Sequence, residues 1–415
     1  MLRGLAAVCV PLGIVIGMAW AFLAPSGYWP GSSVTTAWET RSDSQAPEGS
    51  TRRAWLAGDT LVRARYDAVT GFDADSGRKR WEFVPPRRAD ICAAGETADD
   101  TRVLIAYTGK TGATEGTGEA SGSCSVVVAL GLADGRELWR ASLALAGGGA
   151  ADASGALAAG GGLGVVLDAG TGKGAPALRA LELRGGSPRW TAAVPKGCAP
   201  VRTAVAPKQV VAVLACGEEM KLAAFDPADG GERWTTPLDD RNGVLTGASV
   251  AIMATDPVVL RVDEGDRGVD AFLAFGPDGR PEARIQATGD GYGTIGPHAV
   301  VSDRRLFALT DGGRWGRLVA FDLTTGDELW REDIGGAAYV VQGLHAEAGR
   351  VMVVKGSTKY GDNLHVFDAA TGEEEEDRAF RDDVGPLDHL LPYKDRIIAV
   401  RSGGRVKPFS AYERW

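Results

Sequence analysis

The decapeptide FDLTTGDELW, Phe321 to Trp330, decides the fold because the chain keeps returning to it. FDADSGRKRW runs from Phe72 to Trp81, and FDPADGGERW from Phe225 to Trp234. LGLADGRELW (Leu130 to Trp139) and LELRGGSPRW (Leu181 to Trp190) keep the glycine and tryptophan but not the leading pair. Two copies are degenerate. Phe275 begins FGPDGRPEAR, one residue short before Gly279 and without tryptophan; Phe367 begins FDAATGEEEE, with Glu376 where tryptophan would stand. An eighth start, Phe409, is followed by only six residues. Successive starts lie 58, 51, 44, 50, 46, 46 and 42 residues apart. A period of about 48 is the size of one four-stranded propeller blade.

Each position of the repeat has a physical reading. The leading Phe or Leu ends an alternating strand such as LVAFD and points into the core between sheets. The Asp beside it accepts hydrogen bonds from turn amides, and Gly77, Gly135, Gly186, Gly230, Gly326 and Gly372 supply the positive φ of a tight hairpin. Four residues on, Trp81, Trp139, Trp190, Trp234 and Trp330 stand on the outgoing strand, where a large ring covers the junction with a neighbouring blade. Upstream of each motif a polar turn and a β-rich run form a second hairpin, as in PKQVVAVLAC from Pro207 and DRRLFAL from Asp303. Each unit therefore reads as strands A to D of an up-and-down meander. One such sheet cannot bury both faces alone, whereas eight arranged radially can.

The last unit has strands near Arg396–Arg401 and Val406–Tyr412 but no outgoing tryptophan strand. The missing piece is TTAWET around Trp38, which has no glycine half before it, so Trp38 is expected on strand D of the last blade. The expected fold is all-β: an eight-bladed β-propeller of four-stranded antiparallel blades over residues 34–415, closed by its N-terminal strand and preceded by one transmembrane helix. Gly4 to Ala24 is 21 residues without a charge, enough to span a hydrocarbon layer of about 30 Å. Residues 1–25 thus read as a cytoplasmic stub and membrane anchor, or as a signal peptide cleaved after Ala19-Trp20-Ala21. Residues 26–33 are a linker. Arg3 on one flank, against an outer flank uncharged until Glu39, puts the propeller on the extracytoplasmic side of the cell membrane.

Composition narrows the function. Fifty-eight glycines in 415 residues argue against a helical protein. A hydrophobic fraction of 44% supplies a core, and a net charge of −9 gives no drive toward nucleic acid. Four histidines and five cysteines are few soft ligands. His298, His345, His365 and His389 show no paired ligand spacing, and Glu373 to Asp377 reads as a solvated edge-strand charge run, so no metal site is expected. Gly109-Lys110-Thr111 lacks the first glycine of a phosphate loop, and no nucleophile elbow or zinc-hydrolase motif is present.

The four cysteines beyond the apolar segment form an even set in an oxidising compartment. A hairpin turn near Ala206–Pro207 faces Cys198 with Cys216. A turn at Asp99–Asp100 sets Cys92 opposite Tyr107, and the excursion from Thr108 returns at Cys124 to the same end. Disulfides Cys92–Cys124 and Cys198–Cys216 are therefore expected.

The repeat Ala-Phe-Asp-x-x-Thr-Gly-x-x-x-Trp, as in Ala320 to Trp330, resembles the tryptophan-docking motif of pyrroloquinoline-quinone-like (PQQ-like) β-propellers across residues 34–415. The resemblance is nearest to the shorter, non-enzymatic eight-bladed members, such as outer-membrane-protein assembly lipoproteins. It implies a protein-binding scaffold or assembly factor, with a protein or a cell-envelope polymer as partner and the membrane engaged through the N-terminal helix. Membrane-anchored sensor ectodomains share the repeat, which makes an extracytoplasmic ligand sensor the alternative. A quinone-dependent alcohol or sugar dehydrogenase ranks third: the vicinal cysteine pair of the alcohol-oxidising members is absent, and no calcium set can be assigned. No catalytic residue and no cofactor are expected.

In an up-and-down blade the A–B and C–D turns share one face, and the B–C and D–A connections share the other. The longer segments fall on the second face: Gly109–Ser123, Asp263–Asp270, Asp311–Gly316 and Lys355–Asp362 between B and C, Val84–Ala89 and Gln286–Pro297 between D and A. Loops on a rigid scaffold concentrate binding residues. Arg87, Arg88, Tyr292, Arg314, Trp315 and Tyr360 are the candidate anchors, as exposed aromatic and arginine side chains.

Overall fold

The computed structural model describes residues 33–45, 47, 53–99, 101–109, 124–146, 153–170, 174–239, 241, 243–265, 268–312, 316–335, 339–357, 361–401 and 405–414. Its regular structure is strand, with two short 3-10 turns. The chain divides into two compact units: residues 44–289 with 321–327, and residues 1–43, 290–320 and 328–415.

The first unit holds five antiparallel sheets, each of four strands hydrogen-bonded in chain order. They comprise Arg53–Ala57 to Lys79–Phe83, Ile91–Ala94 to Glu137–Ser142, Leu157–Gly160 to Pro188–Ala193, Cys198–Val205 to Glu232–Pro237, and Ser249–Thr255 to Pro281–Gln286. Strands B and C are mostly apolar, because both faces of each sheet are covered; Val210 to Leu214 have no exposed surface. One buried cluster draws on the second, third and fourth sheets, another on the fourth and fifth. Strand D is more exposed; Pro188–Ala193 alternates, with Trp190 and Ala192 buried and Arg189, Thr191 and Ala193 reaching solvent.

Every C–D hairpin of this unit carries the same irregularity. Ala224 pairs with Trp234 but Phe225 pairs with Glu232, leaving Arg233 bulged; the equivalent shift follows Gly71, Ala129, Ala180 and Ala274. A bulge turns the following side chain out of register, and in four of the five sheets that side chain is the repeat tryptophan. Asp and Gly hold the turn. Asp322 Oδ1 accepts from the amides of Thr324 and Thr325 at 2.6 and 3.1 Å, and Asp368 Oδ1 accepts from Ala370 and Thr371 at 2.9 and 2.7 Å. In one of the copies that lack Asp, Glu182 does the same work for Arg184 and Gly185 at 3.2 and 2.6 Å. All six assigned glycines, and Gly279, have positive φ between 66° and 82°.

The second unit holds the sheet of Gly293–Ser302, Arg305–Thr310, Arg317–Asp322 and Glu328–Asp333, then an eight-stranded sheet. The eight run Tyr339–Glu347, Arg350–Ser357, Asn363–Asp368, Glu374–Phe380, Ser33–Glu39, Phe409–Arg414, Arg396–Val400 and His389–Tyr393. Ser33–Glu39 lies antiparallel to Phe409–Arg414, with Trp38 opposite Ala411, and its first two residues also pair in parallel with Ala379 and Phe380. Thr40 and Phe409 exchange hydrogen bonds at 3.0 Å in both directions. The strand bearing Trp38 thus completes the sheet begun at His389.

Cys92 is bonded to Cys124 and Cys198 to Cys216, with Cα separations of 5.9 and 4.0 Å. The register differs from expectation in the first case. Ile91, not Cys92, faces Tyr107, and Cys92 occupies a bulge before Ala93 pairs with Ala106. In the second, Val205 faces Val210, and a bulge between Pro200 and Arg202 shifts the register by one to set Cys198 against Cys216.

Three other expectations need adjustment. The connection expected at Gln286–Pro297 is shorter, since a strand begins at Gly293 despite Gly296 and Pro297; an irregular register between Ile295 and Ala299 absorbs them. Glu374–Phe380 is an interior strand, paired on one side with Asn363–Asp368 and briefly on the other with Ser33 and Val34. The apolar segment Gly4–Ala24 lies outside the described residues; among those described, no helix is long and apolar enough to cross a membrane.

Candidate functional site

The repeat tryptophans each reach from one sheet to the glycine turn of the next. Trp81 lies on Gly135, Trp139 on Gly186, Trp190 on Gly230, Trp234 on Gly279 and Trp330 on Gly372. A Cβ on Gly186 would stand 2.7 Å from the Trp139 ring, and one on Gly372 2.7 Å from Trp330, so the indole faces sit where only glycine leaves room. The ring N–H then donates to a carbonyl of the same turn: Trp139 to Leu183 (2.9 Å), Trp190 to Pro227 (2.9 Å), Trp234 to Pro277 (2.9 Å) and Trp330 to Ala369 (3.1 Å). Face and edge of these four indoles are both used. Trp38 and Trp81 have buried Nε1 atoms without a partner.

Two repeats lack the ring, and a cleft opens beside each. In the fifth, Ala283 pairs with Ala274 where every other sheet of its unit has tryptophan. A Cβ on Gly326, with φ +82°, would meet the Arg284 backbone at 3.2 Å instead of an indole. A cleft of about 600 Å³ adjoins it, lined by Leu238, Asp239, Arg241, Phe275, Ala283, Arg284, Gln286 and Thr325. Arg284 crosses it to Asp239, whose side chain is buried. In the seventh repeat Glu376 takes the tryptophan position opposite Val366. The cleft there, about 310 Å³, has Met352, Leu364, Val366, Ile397 and Tyr412 as an apolar floor, with Arg350, Lys394 and the pairs Glu376–Arg378 and Arg396–Glu413 around it. Burial pushes the Tyr412 hydroxyl above its usual pKa. Paired donors and acceptors around an apolar floor suit an extended polar chain such as a peptide. Both sites stand in the sequence as lapses of the repeat, and a lapse gives no sign of whether its space closes or stays open.

The expected anchor residues divide. Arg87 and Arg88 are exposed, in a 3-10 turn after Pro85, and both adopt positive φ, 58° and 56°. Val84 beside them is 45% exposed. Two successive non-glycine residues in that region carry backbone strain of a kind found at functional loops. Tyr292 belongs to the other unit and is half-buried rather than exposed; burial, with Glu328 nearby, raises its hydroxyl pKa. Arg314, Trp315 and Tyr360 lie outside the described residues.

Four-stranded antiparallel sheets locked by tryptophan onto glycine turns define a β-propeller of the PQQ-like class. The chain belongs to the family described as outer membrane protein assembly factor BamB, which matches residues 125–273 and 277–412. Its fold is similar to that of BamB from Moraxella catarrhalis, at 16% identity and a TM-score of 0.53, over 92% of this chain and 98% of that one. It is also similar to the quinohemoprotein alcohol dehydrogenase ADHIIG of Pseudomonas putida HK5 (11% identity, TM-score 0.55, 93% and 77% covered). The quinohemoprotein alcohol dehydrogenase of Comamonas testosteroni is comparable (12%, 0.51, 92% and 75%). At such identities the likeness is one of fold. No curated protein matches the sequence.

The dehydrogenase likeness raises the question of a quinone, and neither the described cysteines nor the four hydrogen-bonded repeat indoles offer one a surface to stack on. Cys92, Cys124, Cys198 and Cys216 are joined across 32 and 18 positions, never as neighbours. The indoles of Trp139, Trp190, Trp234 and Trp330 are spent on glycine turns and carbonyls.

Proposed function

We propose that this chain is an exported, eight-bladed, non-catalytic propeller that binds other proteins of the cell envelope as a scaffold or assembly factor. Membership of a family described as an outer membrane protein assembly factor carries the reading. The geometry supports it: the repeat tryptophans are committed to docking, and the surface offers the strained Arg87–Arg88 turn as an anchor. Gly4–Ala24 tethers the propeller to the membrane, and the linker 26–33, reaching less than about 30 Å, holds the glycine-turn face toward the bilayer.

The test is site-specific photo-crosslinking in intact cells. A crosslinker at Arg87 or Arg88 is expected to capture protein partners, and one at Asp229, in a short C–D turn, to capture none. Crosslinks confined to Asp229 would reverse the face. Turnover of an alcohol or sugar in a dye-linked assay with added quinone and calcium would overturn the non-catalytic reading.

A further inference from the structure

Strand Glu374–Phe380 opens with consecutive acidic residues, and two of them are accounted for. Glu375 pairs with Arg350 at 2.9 Å and Glu376 with Arg378 at 2.8 Å. Glu374 and Asp377 turn the other way, toward His365 on the adjacent strand, which stands directly opposite Asp377 in register. His365 is only 6% exposed, its ring stacked on Phe367 at 6.3 Å between centroids.

The two ring nitrogens have different surroundings. Nδ1 is hydrogen-bonded to Glu374 Oε1, and since a carboxylate accepts, Nδ1 carries the hydrogen. In the neutral form of that ring Nε2 presents a bare lone pair. It is buried and has no hydrogen-bond partner, yet it stands 3.6 Å from Asp377 Oδ1, another acceptor. That separation is too long for a hydrogen bond. It suits two ligand atoms of one ion, because donors about 2.0–2.1 Å from a tetrahedral zinc lie roughly 3.3 Å apart. A histidine that gives one N–H to a carboxylate while its other nitrogen faces a second carboxylate has the outer-sphere arrangement typical of metal-ligating histidines.

We propose that His365 Nε2 and the Asp377 carboxylate bind a divalent transition-metal ion, zinc by donor chemistry, with Glu374 orienting the imidazole through Nδ1. One ligand atom from each of the three residues lies within 4.8 Å of the others. Asn363 Nδ2 donates to Asp377 Oδ1 at 2.9 Å, so the carboxylate is positioned without help from the ion. The side chains of Glu374 and Asp377 are 46% and 54% exposed, which admits water to the remaining coordination positions. Lys355, opposite Asn363 in register, directs its charge at Asp377 and Glu374 and competes with the ion. The site is therefore weak and reversible.

Equilibrium dialysis of the full chain against zinc chloride, with bound metal counted by mass spectrometry, tests this. One saturable equivalent is expected. Asp377→Asn and His365→Gln should weaken it by at least about 100-fold, and Glu374→Gln by about 10–100-fold. Lys355→Met should tighten it. Asp377 and Lys355 lie outside the core, so those variants read the site even where His365→Gln unfolds the sheet; thermal melts confirm folding. The proposal falls if the wild type binds no stoichiometric zinc, if Asp377→Asn binds as tightly as wild type, or if Lys355→Met fails to tighten binding.

Discussion

Gly186 and Gly326 sit at the same point of the same repeat, with φ of 75° and 82°. Over Gly186 lies the indole of Trp139, bonded to the Leu183 carbonyl at 2.9 Å; against Gly326 lies the bare backbone of Arg284. The turn is identical and the junction is not. Glycine and aspartate answer to the local demands of a hairpin and persist without the ring, whereas tryptophan answers to a neighbouring sheet. Where it lapses, charged residues and open volume replace it. The motif thus combines a turn device with a docking device, and the two can part.

Truncating a docked ring should break the contrast most. Trp190 is 8% exposed, and Trp190→Ala is expected to cost about 3–5 kcal/mol in urea unfolding. At a position that never had the ring, Glu376→Ala removes an ion pair with Arg378 and should cost about 1 kcal/mol. Equal losses would show that the tryptophans contribute little beyond their area elsewhere in the fold.

Glycine substitutions sharpen the comparison at smaller scale. Gly161 also has positive φ, 56°, and a Cβ there would meet nothing within 4 Å, whereas a Cβ on Gly186 meets Trp139. Gly161→Ala should cost about 1–2 kcal/mol from backbone strain alone. Gly186→Ala should add about 1–3 kcal/mol for displacing the ring. If the two variants melt together, the indole yields freely and docking is loose.

The smallest effect belongs to the turn carboxylates. A hydrogen bond from Ser76 holds Asp73 below the ordinary aspartate range, Arg233 does so for Asp226, and Thr371 for Asp368. Arg80 lowers Asp59 to about 2. A depressed folded-state pKa means stabilisation that is complete above the unfolded value and lost as pH falls through the folded one, here between about pH 4 and pH 2. Melting temperature should decline over that window, and Asp368→Asn should flatten the decline slightly, these groups being exposed.

What is legible in the sequence is local. Trp330, Gly326 and Asp322 mark a hairpin by chemistry contained within ten residues, so the sheets and the strand around Trp38 can be placed by counting. Counting also finds the partner of Cys198, although the turn spans one residue more than expected, since the bulge after Pro200 shifts the register back. It misplaces the partner of Tyr107 for the converse reason: a bulge at Cys92 moves Ile91 into its place. Bulges depend on packing across sheets, which spacing does not record. The same limit hides His365. Its carboxylates follow it by nine and twelve positions, a spacing with no helical or strand meaning until two strands are laid side by side.

The strand Ser33–Glu39 has a consequence in time. Thr40 and Phe409, which lock it in place, are 369 positions apart. During synthesis this strand must wait, with an open edge, until residues 409–414 have been made. Every other sheet can form from neighbours already at hand. Until its late partner arrives, the earliest strand is the part of the molecule most open to pairing with the wrong chain.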